Sequence, residues 1–381
     1  MVRPSFTLHV RLTRRCNADC AYCSSRSDHK GYMTASEYRR SAEYILELLE
    51  NPSFGGIHRN GQIHIQYIGG EILTIPKRQL REIVTVGREV FSGYFSHVVD
   101  GTQSNLVGPP DRISNLQALF GKRISTSIDS FGNKRTLNGS AELYRKTIRI
   151  SLDSLKRRSF NPAAIVVVDR DSLPYLSSEI AISEEAGRPM RLRPVFHGGS
   201  PISPAEPGAM AESFGKACSS WLMNSRISVD PFMQLLLLRL AEVDGGTGTQ
   251  SSGCPFSDNC AHESLNLDPD GSLYVCLDMA DAGLLPLGNA LAREFDWGMH
   301  QGIAKRYGNL HPDCQACQWR VSCRGGCTME AIQHSGQIDG KTPLCGTWQS
   351  CFSAIDDAIA RHGPANVRAW SEGLVGMEGG I

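Results

Sequence analysis

Leu8-His9-Val10-Arg11-Leu12-Thr13-Arg14-Arg15-Cys16-Asn17-Ala18-Asp19-Cys20-Ala21-Tyr22-Cys23 is the stretch whose reading decides the fold. Leu8, Val10 and Leu12 alternate with polar residues, the period of a strand with one buried face. The strand runs into a CX3CX2C loop made by Cys16, Cys20 and Cys23. Three thiolates on one short loop can hold three irons of a [4Fe–4S] cube and leave the fourth iron open to another ligand. On this motif alone, a structural zinc loop short of one ligand remains an alternative.

Further runs of the same kind follow: Ile63 to Ile68 ending at Gly69-Gly70, Val98-Val99 leading into Thr102, Arg123 to Asp129, Ala164 to Val168, and Met190 to Val195. Helical patterns lie between them. Thr34-Ala35-Ser36-Glu37 is a capping box, and Tyr38, Ala42, Ile45 and Leu49 then share one helical face. Pro76 suits a helix start, with Leu80, Ile83, Val84 and Val90 on one face and Gly87 there to permit close packing. Residues 141–157 and 173–186 read as further helices. Alternation at this spacing implies βαβ units and a parallel sheet. Six units are too few for a closed eight-stranded barrel, so the expected fold is an α/β (β/α)6 partial TIM barrel. Its site lies at the carboxyl ends of the strands.

The 381 residues are 41% apolar and 20% charged, enough to bury a core, and 39 Lys plus Arg balance 39 Asp plus Glu. A zero formal charge argues against a general nucleic-acid binder but leaves room for a local basic patch. The opening MVRPSFTLHV lacks a secretory pattern, and Leu235 to Leu238 is too short to span a membrane. A cytoplasmic protein with no membrane partner is expected. Thirteen cysteines, an odd number, then read as reduced thiols, and clustered reduced thiols usually hold metal. Ten of them lie beyond residue 217. Residues 201–250 read as connecting helices and a linker, Asp244 to Gly253. The expected division is therefore 1–200, 201–250 and 251–381.

In the last segment Cys260 is followed by Gly271-X4-Cys276, then Cys314-X2-Cys317-X5-Cys323-X3-Cys327 and Cys345. With Cys254, eight thiolates are available, enough for two fully ligated cubes. The chain resembles the radical S-adenosylmethionine (SAM) enzymes, in which CX3CX2C follows the first strand and an aromatic residue, here Tyr22, precedes the last Cys. Gly69-Gly70-Glu71 resembles their GGE motif after strand two, with Ile72 where Pro is usual. Ser125, Ser127 and Asp129 resemble the polar end of strand four, and Gln103-Ser104-Asn105 that of strand three. The late cysteines, with Trp319 and Gly325-Gly326, resemble the SPASM domain of peptide- and protein-modifying members.

The resemblance implies SAM chelated at the open iron, with contacts from Tyr22, Gly69, Gly70, Glu71, Ser127 and Asp129. Reductive cleavage of SAM would give a 5′-deoxyadenosyl radical that abstracts hydrogen. It also implies three [4Fe–4S] clusters. Cys16, Cys20 and Cys23 hold one, Cys254, Cys260, Cys276 and Cys327 an auxiliary one, and Cys314, Cys317, Cys323 and Cys345 the other. Cys218 and Cys351 remain as ordinary buried or surface thiols, Cys351 with the further options of a substitute ligand or a catalytic thiol.

In sulfatase-maturating relatives an Asp directly after the Cys276 position is the base; here Leu277 intervenes before Asp278. Gln66 and Tyr67 either face the barrel interior or pack, and Arg145 or Arg149 is placed to reach the SAM carboxylate. The implied activity is oxidation, cross-linking or related modification of a residue in a peptide or protein. An external donor such as flavodoxin or ferredoxin would supply electrons. The chain begins fifteen residues before Cys16, so peptide recognition would come from a separate protein, or the substrate is recognised otherwise. The alternatives are a dehydrogenase or epimerase for a small natural-product intermediate, and a zinc-stabilised or electron-transfer module without catalysis.

Overall fold

Phe6, Leu8, Val10 and Leu12 are fully buried on one side of the first strand, while Thr7 and His9 on the other side face a central cavity. That alternation sets the architecture. In the computed structural model, which describes residues 5–25, 31–55, 61–195, 202–246, 256, 259–374 and 376, all six expected strands form. They are β1 (Ser5–Arg11), β2 (Gln62–Ile68), β3 (His97–Gln103), β4 (Ile124–Ser127), β5 (Ala163–Val168) and β6 (Met190–Pro194). They pair in parallel in chain order, with Thr7 opposite His64, Gln66 opposite Gly101 and Ala164 opposite Met190.

The crossover helices form where their start signals lie. In α1 (Ala35–Glu50) the Thr34 hydroxyl accepts from Glu37 N at 3.2 Å, and Glu37 Oε2 accepts from Thr34 N at 2.8 Å, so both halves of the capping box are made. α2 (Lys77–Ser92) starts after Pro76. A Cβ on Gly87 would stand 2.2 Å from the Tyr67 hydroxyl, so only glycine lets this helix lie so close to the sheet. α3 (Pro110–Phe120), for which the sequence reading named no signal, buries Ile113, Leu116 and Phe120. α4 (Ala141–Lys156) and α5 (Leu176–Glu185) complete this layer.

The sheet does not end with six strands. β7 (Ser264–Leu267) pairs in parallel with the outer side of β1, Thr7 opposite Ser264 and Val10 opposite Leu267. β8 (Ser272–Tyr274) and two short strands extend it antiparallel, and at the other edge Val229–Asp230 pairs in parallel with β6, giving an eleven-stranded sheet with the cysteine-rich half joined to β1. Leu265 and Leu267 are buried on the helix side, and Asn266 on the cavity side. A second core forms where α6 (Pro207–Trp221), α7 (Phe232–Val243) and the helix Cys345–His362 pack around Phe214, Trp221, Phe232, Trp348 and Phe352. No helix among the described residues is long and apolar enough to cross a membrane.

Phe54 joins the two halves. Its buried ring lies 5.9 Å from Phe6 and stacks at 4.7 Å on His300, with Phe295 and Trp297 at 6.2 and 6.5 Å. Truncation leaves a cavity between first-half and second-half residues. Phe54→Ala should lower the unfolding free energy by about 3–5 kcal/mol in denaturant titrations, whereas a loss below about 1 kcal/mol would show the nest to be loosely packed.

Candidate active site

The loop bearing Cys16, Cys20 and Cys23 is held from two sides. On one side the ends of β2 and β3 grip it. Gly70 N donates to Thr13 O at 2.7 Å and Glu71 N to Arg15 O at 2.8 Å. A Cβ on Gly69 would lie 2.6 Å from Thr13 O, and one on Gly70 2.3 Å from Arg15 O. The glycines thus let strand two close on the backbone that leads into Cys16. The buried Glu71 carboxylate accepts from Ser104 Oγ at 2.7 Å, Asn105 N at 2.6 Å and Leu73 N at 2.9 Å. Burial raises its proton affinity, and those hydrogen bonds oppose the rise. Asn105 Nδ2 in turn donates to Asn17 Oδ1 at 2.8 Å and toward Cys16 Sγ at 3.9 Å.

On the other side Asp19-Cys20 pairs antiparallel with Arg135-Thr136. Arg135 was not singled out from the sequence, because nothing in its spacing marks it. Its buried guanidinium donates to Tyr22 Oη at 3.0 Å and lies 5.0 Å above the Tyr144 ring. Ser127 is buried, its hydroxyl accepting from Gln103 Nε2 at 3.1 Å, while Asp129 caps the following turn by accepting from Gly132 N at 2.6 Å. The neighbouring Ser125 Oγ is buried with no hydrogen-bond partner among the described residues. Arg145 is committed to Gly132 O at 2.7 Å, and Arg149 is exposed on α4.

Burial pushes the Cys16 thiol up to about 12, with the Glu71 carboxylate adding to the rise. Cys20 and Cys23 are raised too, chiefly by burial. Thiols whose proton affinity is raised in this way would need a nearby cation to bind as thiolates, a charge that the irons of a cluster would supply. The same holds for two further groups. Cys276 is raised by burial and by the nearby Asp278, Cys327 and Cys260. Cys323 is pushed up to about 12 by burial and by Cys345, Cys314 and Cys317.

Cys260, Cys276 and Cys327 thus lie near one another, as do Cys314, Cys317, Cys323 and Cys345, while Cys254 lies outside the described residues. Gly325 and Gly326, at φ +81° and +67°, turn the chain between Cys323 and Cys327. No three His, Cys, Asp or Glu among the described residues sit close enough to share one metal ion; a cube gives each thiolate its own iron and does not need that closeness. Cys218 and Cys351 are buried between α6 and the Cys345–His362 helix, the Cys218 thiol donating to Cys351 O at 3.9 Å, apart from both groups.

A cavity of about 800 Å³ fills the barrel and reaches Ile68 and Gln103, the residues just before Gly69 and Ser104. His9 and Gln66 line its sheet side, and Cys260, Cys276 and Cys327 another. Tyr67 points the opposite way and packs against Tyr38 and Phe120. Burial and the guanidinium groups of Arg193, Arg191 and Arg11 lower His9 to about 4, so it is neutral at pH 7. Asp278 lines the cavity paired with Arg193. Beside it Glu330, missed from the sequence, accepts from Thr342 Oγ1 at 2.6 Å. Burial first, then the Asp278 charge, raise Glu330 from 4.5 to about 7, with Arg193 and Arg306 opposing.

Two predictions arise here. Gly70→Ala should displace the cysteine loop, costing about 1–3 kcal/mol of stability and lowering iron uptake; unchanged stability and iron content would contradict the tight approach. For Glu330, the folded chain keeps the proton that the unfolded chain releases near 4.5, so its stabilising contribution is complete below that pH and lost as pH rises through about 7. Denaturant titrations of the iron-free chain should show this fall and its removal in Glu330→Gln. An unchanged slope in the variant would contradict it.

No family model matches the chain. It is 29% identical over 138 residues to the serine-type anaerobic sulfatase-maturating enzyme of Klebsiella aerogenes, a match covering 34% of this chain and 31% of that enzyme. The structure of anSMEcpe with bound AdoMet and Kp18Cys peptide superposes with a TM-score of 0.76 at 16% identity, covering 95% of this chain and 100% of that one. Streptococcus suis SuiB bound to its precursor peptide SuiA gives 0.53 at 13% identity, covering 90% and 75%. The chain therefore has the fold of anSMEcpe and SuiB, the radical SAM fold expected from the sequence.

Proposed function

We propose that this chain is a radical SAM enzyme that oxidises or cross-links a residue of a peptide or protein. The observation that carries the reading is a cavity lined by Cys260, Cys276 and Cys327 that reaches Ile68 and Gln103, the residues leading into the Gly69-Gly70-Glu71 and Ser104-Asn105 segments that hold the Cys16, Cys20 and Cys23 loop. In this reading residues 1–200 bear the SAM-binding cluster and 251–381 two auxiliary clusters, ligated as the sequence implies, with 201–250 connecting them. Bound there, the cluster and SAM together supply a radical able to remove hydrogen from an unactivated carbon.

The protein's own part is positioning and proton handling. Glu71 and Asn105 hold the loop, Arg135 braces Tyr22, and the orphaned Ser125 hydroxyl together with Ser127 and Asp129 offers polar contacts for SAM at the end of β4. His9 stays neutral at the cavity wall and can share a hydrogen bond without adding charge. Oxidation of a C–H bond releases a proton as well as an electron. Of the carboxylates that line the cavity, two are the candidates to take that proton: Asp278, one residue beyond the position that bears the base in sulfatase-maturating relatives, and Glu330, whose proton affinity lies near neutrality. The 800 Å³ space admits an extended peptide segment, and peptides are bound in both anSMEcpe and SuiB. An external one-electron donor of the flavodoxin or ferredoxin type completes the scheme.

The test is anaerobic reconstitution, reduction, and incubation with SAM and peptides bearing Ser or Cys. The reading predicts 5′-deoxyadenosine together with a peptide that has lost two hydrogens, and no cleavage after Cys16→Ala, Cys20→Ala or Cys23→Ala. Absence of 5′-deoxyadenosine would overturn the enzyme assignment. Its formation only with small polyols would overturn the peptide assignment.

A further inference from the structure

Both stems of the cysteine loop are tied to two carboxylates that come from the other half of the chain. Asp281 lies on the short helix Leu277–Ala282, and its side chain is 3% exposed. It pairs with Arg11, whose side chain is fully buried on β1. It also accepts from Ser24 Oγ at 2.7 Å and from Ser25 Oγ at 3.1 Å, the two residues directly after Cys23. Asp268, just after β7, stands 3.5 Å from Arg11 Nε, pairs with Arg14 and accepts from Asn266 Nδ2 at 2.9 Å. Arg11 and Arg14 lead into Cys16, and Ser24 and Ser25 lead out of Cys23.

We propose that Asp281 is a positioning residue: through Arg11 on the entering stem and Ser24-Ser25 on the leaving stem, it fixes the loop that presents Cys16, Cys20 and Cys23. The inference rests on reading that loop as the iron-binding one. A buried ion pair is weak evidence for net stability, because taking both charges out of water offsets their attraction. What it supplies is geometry. A carboxylate fixed by a guanidinium and two hydroxyls leaves the loop little freedom to slide along β1.

The helix that carries Asp281 starts at Cys276 and presents Asp278 to the cavity three residues earlier. One short helix thus connects a second thiol group, the cavity wall and the Cys16–Cys23 loop. The Asp281 charge also acts on the loop electrostatically, raising the proton affinity of Cys23 while Arg11 lowers it.

Hydrogen exchange of the full-length reconstituted protein, followed in peptides spanning 16–25, tests the role. Asp281→Asn removes the charge, and Ser24→Ala with Ser25→Ala severs the leaving stem while sparing the Arg11 pair, so the second variant keeps its fold. In both, exchange over 16–25 should rise roughly tenfold to a hundredfold, the loss of one or two hydrogen bonds to a charged group. Exchange in β2 and β5 should be unchanged. The midpoint potential of the SAM-responsive iron signal should move positive in Asp281→Asn and be restored in Asp281→Glu.

Parent-like exchange over 16–25 in both variants overturns the proposal. Faster exchange with iron retention and potential unchanged would reduce Asp281 to a structural role and overturn it as well. If the parent shows no SAM-responsive iron, the reading of the loop fails, and the exchange arm still decides whether Asp281 fixes it.

Discussion

The parallel pairing of Thr7 to Val10 with Ser264 to Leu267 is the constraint on which the rest of the structure depends. With β2 alone, β1 would be an edge strand exposing unpaired backbone groups. With β7 on its other side it becomes an interior strand. Its polar face can then carry His9 and Arg11 inside the barrel. The same pairing fixes where Cys260 and Cys276 stand, since they flank β7 and β8 closely in sequence. Register follows from burial: a slip by one residue would turn Leu265 and Leu267 into the cavity and Asn266 into the helix layer.

Burial then shapes the chemistry. Desolvation pushes up the thiols of Cys16, Cys276 and Cys323, one in each cysteine group, while His9 is pushed down and Glu330 is brought near neutrality. The interior is hostile to uncompensated thiolate and friendly to a cationic cluster. Some of its charged side chains are ion-paired, Arg11 with Asp281 and Asp268 and Arg193 with Asp278, while Glu71 and Arg135 are held by hydrogen bonds.

The alternation of Leu8 to Leu12, the capping box at Thr34 and the cysteine spacings were legible in the sequence because each is a local pattern with a local physical cause. Gly87 was legible for the same reason, as a small residue on an apolar helix face. The joining of β7 to β1 was not, because Ser-Leu-Asn-Leu is too short to announce a partner more than 250 residues away. Arg135 and Glu330 were invisible for a related reason. Their roles come from what the fold places around them, two tyrosines in one case and Thr342, Asp278 and Arg193 in the other. Gly69 and Gly70 were legible as positions needing glycine. Among the described atoms, the crowding there is with the backbone of Thr13 and Arg15.

The central proposal is that folding gathers the cysteines into three separate iron sites. Iron and sulfide quantitation after anaerobic reconstitution, on the parent and on variants emptied of one thiol group at a time, tests it most directly. The account predicts about twelve irons per chain, falling to about eight when Cys16, Cys20 and Cys23 are replaced together by Ala, with the remaining clusters intact. Zinc in place of iron, or loss of all iron from that one triple substitution, would contradict it.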